Sequence, residues 1–193
     1  MSKQFVAVAG NIGAGKSTLV SRLSERLGWK PYFEPVAENP YLENFYGDMK
    51  SWAFHSQVFF LSYRMKTHSQ LLQNPESVVQ DRSVYEDAEI FARNLYLQQF
   101  MSDRDYSTYR NLFDLFISLL DPPDLIIYVE APVDTLIQRI EERGRTFEAD
   151  IKPAYLSQLG NLYEEWISNF DLCPVLTVPS RDMDFASRDD YVD

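Results

Sequence analysis

Gly10-Asn11-Ile12-Gly13-Ala14-Gly15-Lys16-Ser17-Thr18 decides how the rest of this chain is read. It follows directly on the apolar, β-branched run Phe5 to Ala9 and opens a stretch of helical spacing, Lys16 to Leu27. A glycine-rich turn between strand and helix has little side-chain bulk, so successive backbone N–H groups turn inward and make an anion cradle at the helix N-terminus. The stretch satisfies the P-loop pattern with an additional glycine in its middle. In that pattern Lys16 reaches the β- and γ-phosphates of a nucleoside triphosphate, and the Ser17 hydroxyl is placed on Mg²⁺. The motif alone leaves the phosphoryl acceptor open and does not separate a kinase from a switch or a motor.

Working outward, further short apolar runs at Tyr32 to Phe33, Val78 to Val79, Leu125 to Val129 and Val175 to Val178 suit buried strands. Between them lie stretches with helical spacing: Tyr41 to Tyr46, Trp52 to Leu72, Tyr85 to Phe100, Tyr106 to Leu120, Val133 to Glu142 and Pro153 to Phe170. This alternation predicts an α/β chain of the P-loop NTPase fold, a five-stranded parallel sheet with helices on both faces. No repeat, linker or low-complexity run marks a boundary, so residues 1–193 are expected to form a single domain. A chain of this length buries about 70% of its surface and needs no staple.

Composition removes several classes of function. Lys and Arg number 18 against 29 Asp and Glu, a net charge of −11, so the average field repels nucleic-acid backbones and anionic membranes. An anion site must therefore be built locally. Uncharged apolar runs are far shorter than the roughly 20 residues of a membrane helix, and Phe5 to Ala9 is too short for a secretory signal. The cytoplasm is the expected location. The single cysteine, Cys173, has no cysteine to pair with and is expected to be a buried packing residue. His55 and His68 have no acid or cysteine at metal-ligand spacing.

In open parallel sheets, ligands sit at the carboxyl ends of the strands. The second strand ends in Phe33-Glu34-Pro35-Val36-Ala37-Glu38-Asn39 and the third in Gln80-Asp81-Arg82-Ser83. Glu34 stands where a general base is needed beside the γ-phosphate. Asp81 is suited to hold a magnesium-bound water, and Arg82 to draw the reacting oxygen and the γ-phosphate together. Taken singly, Glu34 is also an ordinary loop acid and Asp81-Arg82 an ordinary ion pair. Their joint occurrence with the P-loop favours the catalytic reading.

Together these stretches resemble the deoxynucleoside kinase family, which includes deoxycytidine, deoxyguanosine and deoxyadenosine kinases, with matches from Gly10 to Phe185. Glu34-Pro35-Val36 resembles the family's base motif, implying that Glu34 takes the proton from the sugar 5′-hydroxyl. Asp81-Arg82-Ser83 resembles its acidic-Arg-Ser motif, implying that Arg82 orients the 5′-oxygen. The run Trp52 to Arg64 is similar to the nucleobase helix. Phe54, Gln57, Leu61 and Arg64 fall at offsets of three, seven and ten, on one helical face. Gln57 offers a donor and an acceptor, the combination suited to the edge of adenine or cytosine. Arg64 and Asp87 match positions where members accepting cytosine and purine deoxynucleosides carry Arg and Asp. Tyr46 and Glu148 match the pair that contacts the sugar 3′-hydroxyl, implying a preference for deoxyribose. The run Gln138 to Arg145 resembles an arginine-rich lid in which Arg139, Arg143 and Arg145 close over the triphosphate. With Lys16 and Arg82 they make five cations in one expected pocket. Arg181-Asp182-Met183-Asp184-Phe185 resembles the loop that grips the donor adenine, through Asp184 and Phe185.

The resemblance implies an enzyme of nucleotide salvage that transfers the γ-phosphoryl of ATP, with Mg²⁺, to the 5′-hydroxyl of a deoxynucleoside. Deoxyadenosine and deoxyguanosine are favoured over deoxycytidine. Two other readings are a nucleoside monophosphate kinase of the thymidylate kinase type and a non-catalytic ATP-dependent switch. The first needs no base at Glu34, and the second leaves the lid arginines and the base helix unexplained. The stretches Tyr85 to Phe100 and Tyr106 to Leu120 carry more apolar positions than one sheet-facing stripe requires. The resemblance implies a homodimer packed through them. Neither a nucleic-acid polymer nor a membrane is expected as a partner.

Overall fold

The structure, a computed structural model, describes residues 3–33, 38–148 and 151–180. In chain order the first elements are β1 (Phe5–Gly10), α1 (Lys16–Leu27), β2 (Lys30–Tyr32), α2 (Leu42–Gly47), α3 (Met49–Gln73) and β3 (Val78–Asp81). There follow α4 (Val84–Glu86), a π-helical stretch (Asp87–Ala92), α5 (Arg93–Leu97) and α6 (Asp103–Ile117). The chain continues through β4 (Leu125–Glu130), α7 (Val133–Arg143), a 3-10 turn (Thr146–Glu148), α8 (Pro153–Asn169) and β5 (Val175–Pro179). The chain divides into two compact units, one of Met1–Glu34, Asn74–Ser83 and Pro122–Asp193, the other of Pro35–Gln73 and Val84–Asp121.

The first unit holds the sheet, five parallel strands in the order β2-β3-β1-β4-β5. β1 is central and buried along its whole length, which is why its sequence is an unbroken apolar run rather than an alternation. Val6, Val8, Val79, Ile127 and Val129 pack from the strands against Leu19 and Val20 of α1, Leu136 and Ile140 of α7 and Leu156 of α8. Burying side chains of this kind contributes about 1.5–3 kcal/mol each. The outermost strand β5 departs from the buried strand expected there, since Leu176 is 52% exposed at the sheet edge. Cys173, just before it, is half-buried rather than buried, and desolvation raises its thiol above the ordinary value. β2 begins at Lys30 and ends before Phe33, which is exposed, so the second strand lies earlier than Tyr32 to Phe33.

The second unit is helical. α3 presents buried Ala53, Ser56, Gln57, Leu61, Arg64, Thr67, His68 and Leu71. His68 donates from Nε2 to the carbonyl of Asp121 at 2.8 Å, and its burial holds the imidazole below its ordinary 6.5, so it is neutral at pH 7. The helix expected over Tyr85 to Phe100 is broken into α4, the π-helical stretch and α5, although no glycine or proline interrupts the sequence there. A π-turn adds a residue to the helical circuit and re-aims the side chains around it, and such turns concentrate at functional sites. α6 begins at Asp103, earlier than Tyr106. Ser102 caps it by accepting from the amide of Asp105 at 3.2 Å, and Asp103 and Asp105 complement the positive end of the helix.

The loop between β1 and α1 depends on glycine at two points. Gly10 lies at φ +149° and Gly13 at φ +81°, both positive. A Cβ on Gly10 would stand 2.7 Å from the carbonyl oxygen of Val129, and one on Gly13 would stand 2.8 Å from that of Leu136 and 3.1 Å from Ile140 Cγ1. The loop is thus pressed against β4 and α7 with no room for a side chain. Gly13→Ala combines left-handed strain with a backbone clash. It is expected to cost about 1–3 kcal/mol and to lower the Tm by several degrees. Thermal unfolding followed by circular dichroism checks this, and an unchanged Tm would contradict the close approach of loop and α7.

Candidate active site

A peptide unit points its carbonyl and its N–H in opposite directions, so the partners of the loop carbonyls reveal where the amides face. Lys16 Nζ donates to the carbonyl of Asn11 at 2.9 Å, and Arg139 donates to that of Ala14 at 3.0 Å. The hydroxyl of Tyr163 donates to the carbonyl of Gly10 at 2.8 Å and accepts from Arg82 at 2.9 Å. Cations thus gather on the carbonyl side of the loop. Asn11 fixes it further, donating from Nδ2 to the Leu156 carbonyl at 2.9 Å and accepting from the Ile12 amide at 2.8 Å. No side chain caps the N-terminus of α1, where Gly15 sits at φ +99°. An uncapped helix start behind a glycine-rich loop with a buried lysine has the electrostatics that suit an anion such as phosphate.

The end of β3 completes this edge. The Ser17 hydroxyl donates to Asp81 Oδ2, joining the start of α1 to the strand end. Two hard oxygen donors in direct contact fit Mg²⁺, which is held by one or two protein oxygens and takes its other ligands from phosphate and water. Among the described residues no group of three or more His, Cys, Asp or Glu stands together to hold a metal ion. Arg82 is buried at φ +68°, a left-handed conformation that a non-glycine residue adopts at a cost, held by its amide donating to the carbonyl of Val8 at 2.9 Å. Its guanidinium is fixed by Tyr163, whose ring stacks on Tyr128 with centroids 5.6 Å apart.

The arginines expected in a lid divide into two groups by their contacts. Arg139 spans the Ala14 carbonyl and Ser180, donating to the Ser180 carbonyl at 2.8 Å and to its hydroxyl at 3.2 Å. It braces the phosphate loop against the end of β5. Arg143 and Arg145, one closing α7 and the other just after it, both pair with Glu148. The Glu148 side chain is only 5% exposed, so the two guanidiniums neutralise a carboxylate that would otherwise be buried alone. Glu34 and the pair Asp184 and Phe185 lie outside the described residues, so their expected roles have no structural account.

In the second unit the residues expected to read a base lie along α3. Gln57, Leu61 and Arg64 are buried and Phe54 is half-buried with its ring edge-on to His55, centroids 6.2 Å apart. Arg64 makes a two-pronged pair with Asp87, Nε to Oδ2 at 3.0 Å and Nη2 to Oδ1 at 3.3 Å, with both side chains almost wholly buried. Breaking such a pair by removing one partner costs about 3–5 kcal/mol. Gln57 Oε1 is buried with no hydrogen-bond partner. Tyr46 is half-buried, its ring edge-on to Phe45 with centroids 5.2 Å apart. Residues the sequence did not single out also take part. Asn39 donates from Nδ2 to Ser56 at 3.0 Å and accepts from the Tyr41 amide at 2.9 Å, pinning the entry to α2 onto α3 beside Gln57. Asn39, Tyr163 and Ser180 belong to no motif, and no local pattern marks them.

A glycine-rich loop with a buried lysine, a hydrogen-bonded Ser17–Asp81 pair, an immobilised Arg82 and a helix whose buried Gln57 and Arg64 stand with Asp87 of the π-helical stretch therefore occur in one chain. The sequence profile of the deoxynucleoside kinase family matches residues 6–192. The deoxyadenosine/deoxycytidine kinase of Bacillus subtilis is 40% identical over 98% of this chain and 88% of its own length. The deoxyguanosine kinase of the same organism is 38% identical over 93% of this chain and 86% of its own. A solved deoxyadenosine kinase from M. mycoides, with the products dCMP and a flexible dCDP bound, superposes over 97% of this chain and 96% of its own, with a TM-score of 0.87 and 33% identity. The same enzyme with bound dATP gives a TM-score of 0.81 at 34% identity, over 91% of this chain and 90% of its own. With profile, relatives and fold in agreement, the chain belongs to the deoxynucleoside kinase family.

Proposed function

We propose that this kinase transfers the γ-phosphoryl of ATP to the 5′-hydroxyl of deoxyadenosine or deoxyguanosine, and also accepts deoxycytidine, in nucleotide salvage. The observation that carries base recognition is the buried Gln57 amide oxygen with no protein partner. An orphaned buried acceptor costs about 1–3 kcal/mol, and a ligand that donates to it removes that cost. The exocyclic amino groups of adenine and cytosine are such donors, and Gln57 Nε2 supplies the complementary donor to the neighbouring ring nitrogen. Guanine and cytosine present carbonyl acceptors suited to Arg64. The relatives act on this set of bases, as deoxyadenosine/deoxycytidine, deoxyadenosine and deoxyguanosine kinases.

In this reading Glu34 accepts the 5′-hydroxyl proton and Arg82, already immobilised by Tyr163, donates to the oxygens between which the phosphoryl passes. Lys16 exchanges the Asn11 carbonyl for phosphate oxygens, and amides of residues Gly10 to Thr18 hold the polyphosphate. Ser17 and Asp81 would hold Mg²⁺, which when bound neutralises phosphate charge. Tyr46 and Glu148 recognise the sugar, with Arg143 and Arg145 turning from Glu148 to the triphosphate, and Asp184 and Phe185 contact the donor adenine. The whole chain acts as one kinase domain in the cytoplasm. No described helix is long and apolar enough to cross a membrane. Leu97, Leu115 and Leu119, exposed by 60%, 56% and 71% in and after α5 and α6, support a homodimer.

Labelled ATP incubated with an equimolar mixture of the four deoxynucleosides is expected to yield mainly labelled deoxyadenosine and deoxyguanosine monophosphates. Gln57→Leu is expected to lower kcat/KM for deoxyadenosine by about 10–100-fold. Retention of full efficiency by this variant would remove Gln57 from base recognition. Glu34→Ala is expected to reduce kcat by roughly 10² or more with ATP affinity intact, and turnover near that of the wild type would show that another group takes the proton. Light scattering at micromolar concentration is expected to report twice the chain mass, and a monomer there would contradict the homodimer.

A further inference from the structure

Tyr109 on α6 is a buried polar group that none of these roles uses. Its side chain is fully buried and its hydroxyl has no hydrogen-bond partner. Contacts of the residues that follow it fix where it stands. Arg110, the next residue, pairs with Glu89 at 2.7 Å, and Phe113, one turn on, meets Tyr85 edge-on with centroids 6.4 Å apart. Tyr85 and Glu89 flank Asp87, so α6 is registered against the π-helical stretch and Tyr109 lies within reach of the Asp87 charge. The charge of Asp87 adds to burial in holding the phenol well above its ordinary value, and Arg64 acts on it in the opposite sense. The hydroxyl is therefore un-ionised and keeps a proton to donate.

Asp87 is buried and receives both prongs of Arg64. When a base with a carbonyl edge draws Arg64 toward itself, one oxygen of Asp87 loses a donor inside the protein, a costly state for a carboxylate. We propose that Tyr109 is a positioning residue for base selection, its hydroxyl donating to Asp87 whenever Arg64 turns to a base carbonyl. The tyrosine thereby widens the enzyme's range from adenine, which Gln57 reads, to bases that need Arg64. Its unpaired state in the free protein is the counterpart of that role, since a group satisfied only in one liganded state is orphaned in the other. This rests on the proposed reading of Gln57 and Arg64 as base-recognition residues.

Tyr109→Phe removes the hydroxyl and keeps the ring. Turnover of deoxyadenosine, deoxyguanosine and deoxycytidine is measured for wild type and variant, together with Tm. The expected result is a Tm equal to or above that of the wild type, deoxyadenosine efficiency within about twofold, and kcat/KM for deoxyguanosine and deoxycytidine lower by about tenfold, carried by KM. A lowered Tm with unchanged ratios among the three substrates would show that the hydroxyl holds a structural water, and unchanged ratios at any Tm overturn the proposal. A wild type that uses deoxyadenosine alone also overturns it. Failure of the wild type to phosphorylate any of the three would overturn the reading on which it rests, whatever the variant does.

Discussion

The phosphate loop works only if its carbonyls are turned away from the ligand, and the first unit is arranged around that requirement. The carbonyls of Gly10, Asn11 and Ala14 are drawn to Tyr163, Lys16 and Arg139. Each attachment orients a peptide, and the glycines let those peptides lie against Val129 and Leu136 without a side chain in the way. Catalysis of phosphoryl transfer is mostly positioning and electrostatic stabilisation. A loop already held in its binding conformation spends little of the ligand's binding energy on ordering itself. Arg82 is held by the same means, since Tyr163 ties its guanidinium to the Gly10 carbonyl of that loop.

Charge is concentrated against the average of the chain. A net charge of −11 would keep anions away, yet Lys16 and Arg82 are buried in the first unit and Arg139 is attached to the loop. Among their contacts, Lys16 and Arg139 donate to loop carbonyls and Arg82 to the Tyr163 hydroxyl, which fixes where this positive charge stands. Arg143 and Arg145 are treated differently. Their charge is held by Glu148, a pairing with a partly exposed side on the arginines and a buried side on the acid. This arrangement neutralises a carboxylate that would otherwise be buried alone.

Much of this was readable in the chain because the decisive features are local. The P-loop glycines, the lysine and the serine are contiguous, and α1 runs over Lys16–Leu27 as its spacing predicts, closed by Gly28 at φ +66°. The Ser17–Asp81 and Arg64–Asp87 pairings join residues that a family motif placed in related roles. Less was readable where the structure depends on distant partners. Tyr163 looks like one more aromatic on an apolar helix until Gly10 and Arg82 converge on it. The start of α6 at Asp103 depends on a cap at Ser102, a signal present in the sequence but outweighed there by the apolar stripe beginning at Tyr106. The π-helical stretch carries no breaker, and β5 has an apolar sequence although it lies at an edge.

The unpaired atoms show where the remaining information lies. Folded proteins pair nearly all buried polar groups, because each orphan costs stability. In the helical unit Gln57 Oε1 and the Tyr109 hydroxyl remain unsatisfied although the surrounding helices are well registered by Arg110–Glu89, Phe113–Tyr85 and Asn39–Ser56. Ordered packing around unsatisfied atoms means that the scaffold, rather than chance, holds them in place. An apolar residue of similar shape at either position would stabilise the free protein. With glutamine and tyrosine there instead, the empty protein carries a cost that the proposed base recognition would turn into discrimination when the matching base arrives.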